Sequence, residues 1–269
     1  DMRSKKTAPK RYTFVFGENQ SQYRTVVNRF YELQKKGITF DNIKEAFSVE
    51  ALTKQFYNDL FNWYTWALDE TTGIYFPNNP KTKNDDREHI DTKIIRLITR
   101  LMFVWFIKQK GLVPNALFNP AEVKAWLKEF DPTSMTEGNY YQAILQNLFF
   151  ATLNRPIKNV TYDKDGNEIV ERRAFAKLKD KSDVKSLYRY QELFKISEDK
   201  ILSIFEHVPF INGGLFECLD KNKTSDGVEQ AYYNDGFSRN NIIKDGHYTH
   251  RAFIPNNLLF SEDEGEKAG

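Results

Sequence analysis

Cysteine is almost missing from this sequence. Cys218 is the single one in 269 residues, so no disulfide can form within the chain and a stapled miniprotein is excluded. The first residues, DMRSKKTAPK, lack the apolar stretch of a signal peptide, and with one cysteine the expected setting is a reducing cytoplasm. Long apolar runs are lacking too. The most apolar one, IIRLITRLMFVWFI from Ile94 to Ile107, is broken by Arg96 and Arg100 and is shorter than the roughly 20 residues that cross a bilayer. No membrane span is expected. An excess of charge of one sign is also absent: 39 Lys and Arg stand against 37 Asp and Glu, a net +2, so only local clusters can speak for nucleic acid. Histidines number four. His247 and His250 share HYTH, but no cysteine accompanies them and no metal site is expected.

What is present is mostly helical period. The length allows one large or two small domains. Val26, Val27, Phe30 and Leu33 recur at three- and four-residue spacing, and Gly37 after Lys35 and Lys36 is a C-terminal stop. In SVEALTKQFYNDLFNWYTWAL, Leu52, Phe56, Leu60, Trp63 and Ala67 form a second stripe, broadened by Tyr57, Tyr64 and Trp66 and read as core. A loop, YFPNNPKTKNDDRE, leads to a helix from about Asp91 to Lys110, ended by Gly111 and Pro114. Apolar residues cover nearly its whole circumference, so it is expected to be the central helix; for Arg96 and Arg100 two readings stand, buried or half-buried ion pairs and phosphate contacts. NPAEVKAWLKEF, with Asn119 as cap and Pro120 behind it, and GNYYQAILQNLFFATL supply two more helices. SEDKILSIFEHV supplies another.

Three segments depart from that period. RYTFVFG has the β-branched and aromatic density of a short strand but no sequence neighbour to pair with, so its sheet is expected elsewhere. VTYDKDGNEIVER reads as a β-hairpin projecting between helices. RRAFAKLKDKSDVKSLYRY concentrates Arg172, Arg173, Lys177, Lys179, Lys181, Lys185 and Arg189. Two readings stand for it: a solvated helix face, or a surface touching DNA phosphates. Residues beyond Cys218 are rich in Asn, Asp and Gly and are expected to form loops with short strands, ending in an acidic SEDEGEKAG.

Catalytic motifs do not emerge. The sequence has no Gly-rich phosphate loop followed by Lys-Ser or Lys-Thr, no paired cysteines and no Gly-x-Ser-x-Gly. Glu-x-Lys of the nuclease kind occurs as Glu122/Lys124 and Glu198/Lys200, but both sit in helical patterns, where positions two apart do not share a face. FNPA at Phe118 and NRPI at Asn154 lack the second proline and the aromatic of the tetrapeptide with which adenine methyltransferases grip a flipped base.

Taken in order, KRYTFVFGENQSQYRTVVNRFYEL, FSVEALTKQFYNDLFNWY, LITRLMFVWFIKQKGLVPNALF, YYQAILQNLFFATLN and VPFINGGLFE resemble bacterial type IIG restriction-modification proteins, single polypeptides that join an endonuclease-like domain to an adenine-specific DNA methyltransferase. The similarity covers most of residues 10 to 217. It implies an internal fragment: residues 1–17 as linker and edge strand of a preceding nuclease-like domain, 18–217 as a helical connector with its hairpin near 160–172, and 218–269 as a loop-rich lead into a methyltransferase domain. It implies double-stranded DNA as the parent's partner, with S-adenosylmethionine and Mg²⁺ as the parent's cofactors and none in this chain. No catalytic residue carries over.

The resulting expectation is a mainly α fold, a multi-helix connector with a short N-terminal strand and an inserted β-hairpin. Its function would be non-catalytic, positioning nuclease and methyltransferase domains and touching DNA phosphates. The alternative is a protein-interaction scaffold without DNA contact. In VPFINGGLFE, Asn212, Gly213 and Gly214 interrupt an apolar run, although glycine costs roughly 1 kcal/mol against alanine in a helix. A tight turn with Phe210, Leu215 and Phe216 anchored in the core is the simplest reading; a docking surface for the methyltransferase domain and direct DNA contact are the others.

Overall fold

Gly37, at φ +94°, closes the first helix as its sequence requires, because only glycine enters the left-handed region without strain. The computed structural model describes residues 13, 20–77, 90–177, 184–211, 213–225, 227–238, 243–244, 247–248 and 250–260; the expected strand in RYTFVFG lies outside them, Thr13 apart. The fold is mainly α with a small β-hairpin. The chain divides between Asn62 and Trp63, a division that coincides with neither of the boundaries expected at residues 17 and 217.

The first unit contains α1 (Gln20–Lys36), α2 (Phe40–Ala46) and the start of α3 (Val49–Leu68). Thr39 caps α2, its hydroxyl accepting from the Asn42 amide, while the Asn42 side chain donates to the Gly37 carbonyl at 2.8 Å. Arg29 is buried and joins α1 to α3 through the Ala51 carbonyl and the Gln55 side chain. The expected apolar stripes are only partly buried here. Leu33 is in the core, but Val27, Phe30, Leu52, Phe56 and Tyr57 are exposed, because three short helices offer too little surface to cover them.

The second unit is built around a π-helix, Tyr140–Leu153, all fourteen of whose residues are buried. This helix, not the one after Asp91, is the centre of the core. Its polar residues remain inside because each finds a partner distant in sequence. Gln142 donates to the Ala252 carbonyl and Gln146 to that of Asp235. Asn147 exchanges two bonds of 2.8 Å with Arg189, and Thr152 pairs with the Tyr188 hydroxyl.

Helix α4 (Ile90–Gln109) packs on one side only. Ile94, Leu97, Arg100, Val104 and Ile107 are buried, whereas Ile95, Met102, Phe103 and Phe106 are exposed. At 100° per residue, Ile95, Met102 and Phe106 lie within about 40° of one another on the outward face. Helix α5 (Pro120–Trp126) begins as expected, Asn119 accepting from the Ala121 amide at 2.9 Å.

Strands β1 (Lys158–Tyr162) and β2 (Glu168–Arg172) form the expected antiparallel hairpin, with Val160 opposite Val170, Gly166 at φ +83° and every residue exposed. The described residues of the basic stretch after it are not helical, and Phe175 bridges to Tyr188. Helix α6 (Glu198–Phe205) buries Ile201 and Phe205. Strands β3 (Lys221–Ser225) and β4 (Val228–Tyr232), then β5 (Ile243–Lys244) and β6 (His247–Tyr248), form two short hairpins before α7 (Asn256–Phe260). The segment after Cys218 is more than a lead-out loop. Phe237, Ala252, Ile254 and Leu258 belong to the core, and Phe253 pairs backbone with Tyr75 in both directions.

Candidate functional site

The best organised polar region joins the loop after FINGGLFE to the turn at Asp235–Ser238. Asp220 is buried and accepts four backbone amides in succession, from Asp235, Gly236, Phe237 and Ser238, at 2.7 to 3.0 Å. Those bonds use all the acceptor positions of one carboxylate. Such a cradle needs Gly236: its φ is +60°, and a Cβ would come within 2.4 Å of the Ala252 nitrogen.

Asp235 faces the other way. One of its oxygens accepts a hydrogen bond from Arg100 at 2.7 Å in a buried ion pair, and the other accepts from the Leu219 amide. Arg100 also donates to the carbonyls of Leu215 and Glu217 and lies 4.9 Å from the Phe150 ring centre. The expectation of a buried pair on α4 holds for Arg100.

Cys218, Asp220 and Asp235 bring a sulfur and two carboxylates within 4.8 Å of one another, the one such group among the described residues. The set does not fit Mg²⁺. Asp220 is saturated by amides and Asp235 is neutralised by Arg100, whereas a hard dication needs free oxygens in near-octahedral array. Burial, then the two carboxylates, push the Cys218 thiol well up, and its soft sulfur is not a donor that a hard dication favours. The cluster is a structural clasp that secures the 218–220 and 235–238 segments to α4 and the π-helix.

The basic stretch separates into different fates. Arg172 and Lys177 are exposed, Lys185 is half-buried, and Lys179 and Lys181 lie outside the described residues. Arg173 and Arg189 are buried. Arg173 donates to the carbonyls of Thr152, Arg155, Phe205 and Val208 at 2.7 to 3.1 Å, closing the C-terminal ends of the π-helix and α6, where partial negative charge favours a cation. Arg189 donates to the Ser238 carbonyl and lies 5.7 Å from the Phe237 ring centre. Burial, then nearby Arg251, lowers its pKa to about 10. These two side chains are occupied inside the fold and cannot reach a phosphate, which corrects the expectation for both.

No family model, curated protein or solved structure matches this chain. The assignment of roles therefore rests on the residues themselves.

In VPFINGGLFE, Asn212 lies outside the described residues. Gly213 is extended at φ −163° and Gly214 opens a single 3₁₀ turn, Gly214–Phe216. Neither needs glycine for positive φ or for close approach, since a Cβ on either would meet open space. Phe216 is buried against Phe149, with Leu215 packed at the edge, but Phe210 is exposed. The turn is real; its two glycines are exposed rather than crowded.

Beside the clasp lies a cleft of about 400 Å³ lined by Arg96, Lys185, Glu217, Cys218, Asp220 and Lys221, among others. For Arg96 the sequence left an ion pair and a phosphate contact open. It makes no ion pair among the described residues, and it lines the cleft. Asp220, Asp235 and Arg251 escaped sequence reading because their partners are distant in the chain; the Asp235-Gly236 dipeptide was the available turn signal.

Proposed function

We propose that this chain is a non-catalytic helical connector of a cytoplasmic, bacterial type IIG-like restriction-modification enzyme, holding an endonuclease domain and an adenine-methyltransferase domain about double-stranded DNA. The observation that carries the reading is the outward face of α4. Ile95, Met102 and Phe106 are exposed on one face of that helix, and an exposed apolar face of that kind marks a protein contact. A connector needs such a surface, and the order of the motifs from RYTFVFG to FINGGLFE supports this parent. Among the described residues no helix is long and apolar enough to cross a membrane. S-adenosylmethionine and Mg²⁺ would act in the parent's catalytic domains; no site for Mg²⁺ is offered by the clasp.

The burial of Arg173 and Arg189 favours a second reading, a scaffold that never touches DNA. Phe106→Glu in the intact parent enzyme tests the connector. Methylation and cleavage are both expected to fall at least tenfold, while the stability of the isolated chain changes by no more than about 0.5 kcal/mol, as for a surface site. Unchanged activities would remove the connector reading. Anisotropy of this chain with labelled duplex from about 50 to 200 mM salt then separates the two: a steep loss of binding supports phosphate contact, and no binding at low salt supports the scaffold.

A further inference from the structure

The cleft beside the clasp has an unusual charge balance. Three cations line it: Arg96 from α4, Lys185 from the stretch before Tyr188, and Lys221 at the start of β3. None of their side chains makes a hydrogen bond or ion pair among the described residues. The acids on the same wall do not offset them equally. Asp220 turns its carboxylate into four backbone amides, and Glu217 is exposed. The Cys218 thiol contributes no charge, because burial and the neighbouring carboxylates hold its proton in place.

Arg96 and Lys185 are half-buried. Arg100, one turn along α4, shows what an arginine on this helix does when an acid is within reach: it forms a buried pair at 2.7 Å. Among the described residues Arg96 pairs with no acid, although Glu217 lines the same cleft. A guanidinium fork and two ammonium groups from residues lining one concave site suit the oxygens of a phosphate group, which accepts several charge-assisted bonds at once. At about 400 Å³ the cleft falls in the range of sites for small molecules.

We propose that the cleft between Arg96, Lys185 and Lys221 binds a phosphate group. Two sources share that chemistry, a phosphodiester of the DNA strand and a free nucleotide. The DNA source rests on the connector reading and deepens it by giving the phosphate contact a defined place; the nucleotide source does not depend on it.

The test uses the full chain and a variant, Arg96→Gln with Lys185→Gln, beside a control, Lys158→Gln with Lys164→Gln, on the exposed hairpin. Circular dichroism verifies that both are folded. AMP and inorganic phosphate are titrated by calorimetry and a fluorescein-labelled DNA duplex by anisotropy. The expected result is at least a tenfold loss of AMP and phosphate binding in the cleft variant and none in the control. For DNA, the slope of log affinity against log salt should become shallower by about 1 for each phosphate contact removed, and AMP should compete with the duplex. If AMP binding is lost in the variant while DNA binding is unchanged or absent, the cleft stands as a nucleotide site and the DNA part of the connector reading fails. If neither AMP nor phosphate binds the wild type and the variant leaves DNA binding untouched, the cleft proposal is overturned whatever the fate of that reading.

Discussion

Asp220→Asn is nearly isosteric, yet the structure makes it one of the more damaging single changes available. The carboxylate accepts from Asp235 and Gly236 on one oxygen and from Phe237 and Ser238 on the other, and it is 1% exposed. An asparagine keeps one oxygen. Its amide nitrogen, placed where the second oxygen was, presents hydrogens to two backbone N–H groups. Two buried donors are then unpaired at about 1 to 3 kcal/mol each, and the two bonds that remain lose their charge assistance. The sum is about 3 to 6 kcal/mol, a large share of the 5 to 15 kcal/mol that holds an ordinary domain. Urea denaturation followed by tryptophan fluorescence reads it, with the midpoint moving and the slope of free energy against urea unchanged. Lys164→Ala, on the exposed hairpin turn, serves as control and should change stability by no more than about 0.5 kcal/mol. A loss below about 1 kcal/mol for Asp220→Asn would refute the clasp as a supporting element.

Gly236→Ala should destabilise by about 2 to 4 kcal/mol, since it joins a left-handed residue to a Cβ that meets backbone at 2.4 Å; a thermal midpoint equal to wild type would contradict this. Stability should fall between pH 10 and 12. Burial pushes Tyr188 and Tyr190 up to about 12, so each contributes on the order of 2 to 3 kcal/mol that is complete below pH 10 and lost as pH rises through 12. Tyr140 and Tyr141 act in the same sense, while Arg189, lowered to about 10, opposes them over the same range; denaturant midpoints that rise with pH would show the wrong sign. Arg173→Ala should cost about 3 to 5 kcal/mol, because four carbonyls lose their donor, whereas Arg172→Ala, on an exposed strand end, should be neutral within about 0.5 kcal/mol in the same urea assay.

Local chemistry was legible in this sequence wherever one residue decides a local geometry. Gly37 and Gly111 end helices at positive φ, Asn119 caps α5, and KDGN turns the hairpin. Burial was less legible, because apolar residues recur at helical spacing whether or not a partner covers them. Helix α4 illustrates this: apolar on nearly all sides by sequence, it is buried on one face and exposed on the other. The role of central helix falls instead to Tyr140–Leu153, which carries Gln142, Gln146 and Asn147 among its apolar residues. Those amides are tolerated inside because segments as far away as Ala252 supply their partners, and no local pattern announces a partner 110 residues distant.

The same limit governs charge. Arg172 and Arg173 are adjacent in sequence and carry equal charge, but one ends an exposed strand and the other closes two helices from within. A count of basic residues therefore overstates the surface available to a phosphate. It also makes wholesale neutralisation of the stretch a poor probe of DNA contact: removing Arg173 with its neighbours would unfold the site and lower DNA affinity for reasons unrelated to phosphate. Arg172 and Lys177, which are exposed, and Arg96, Lys185 and Lys221, which line the cleft, can be changed without opening the core. Any salt dependence that follows those five positions reports on binding, and any that follows Arg173 or Arg189 reports on folding.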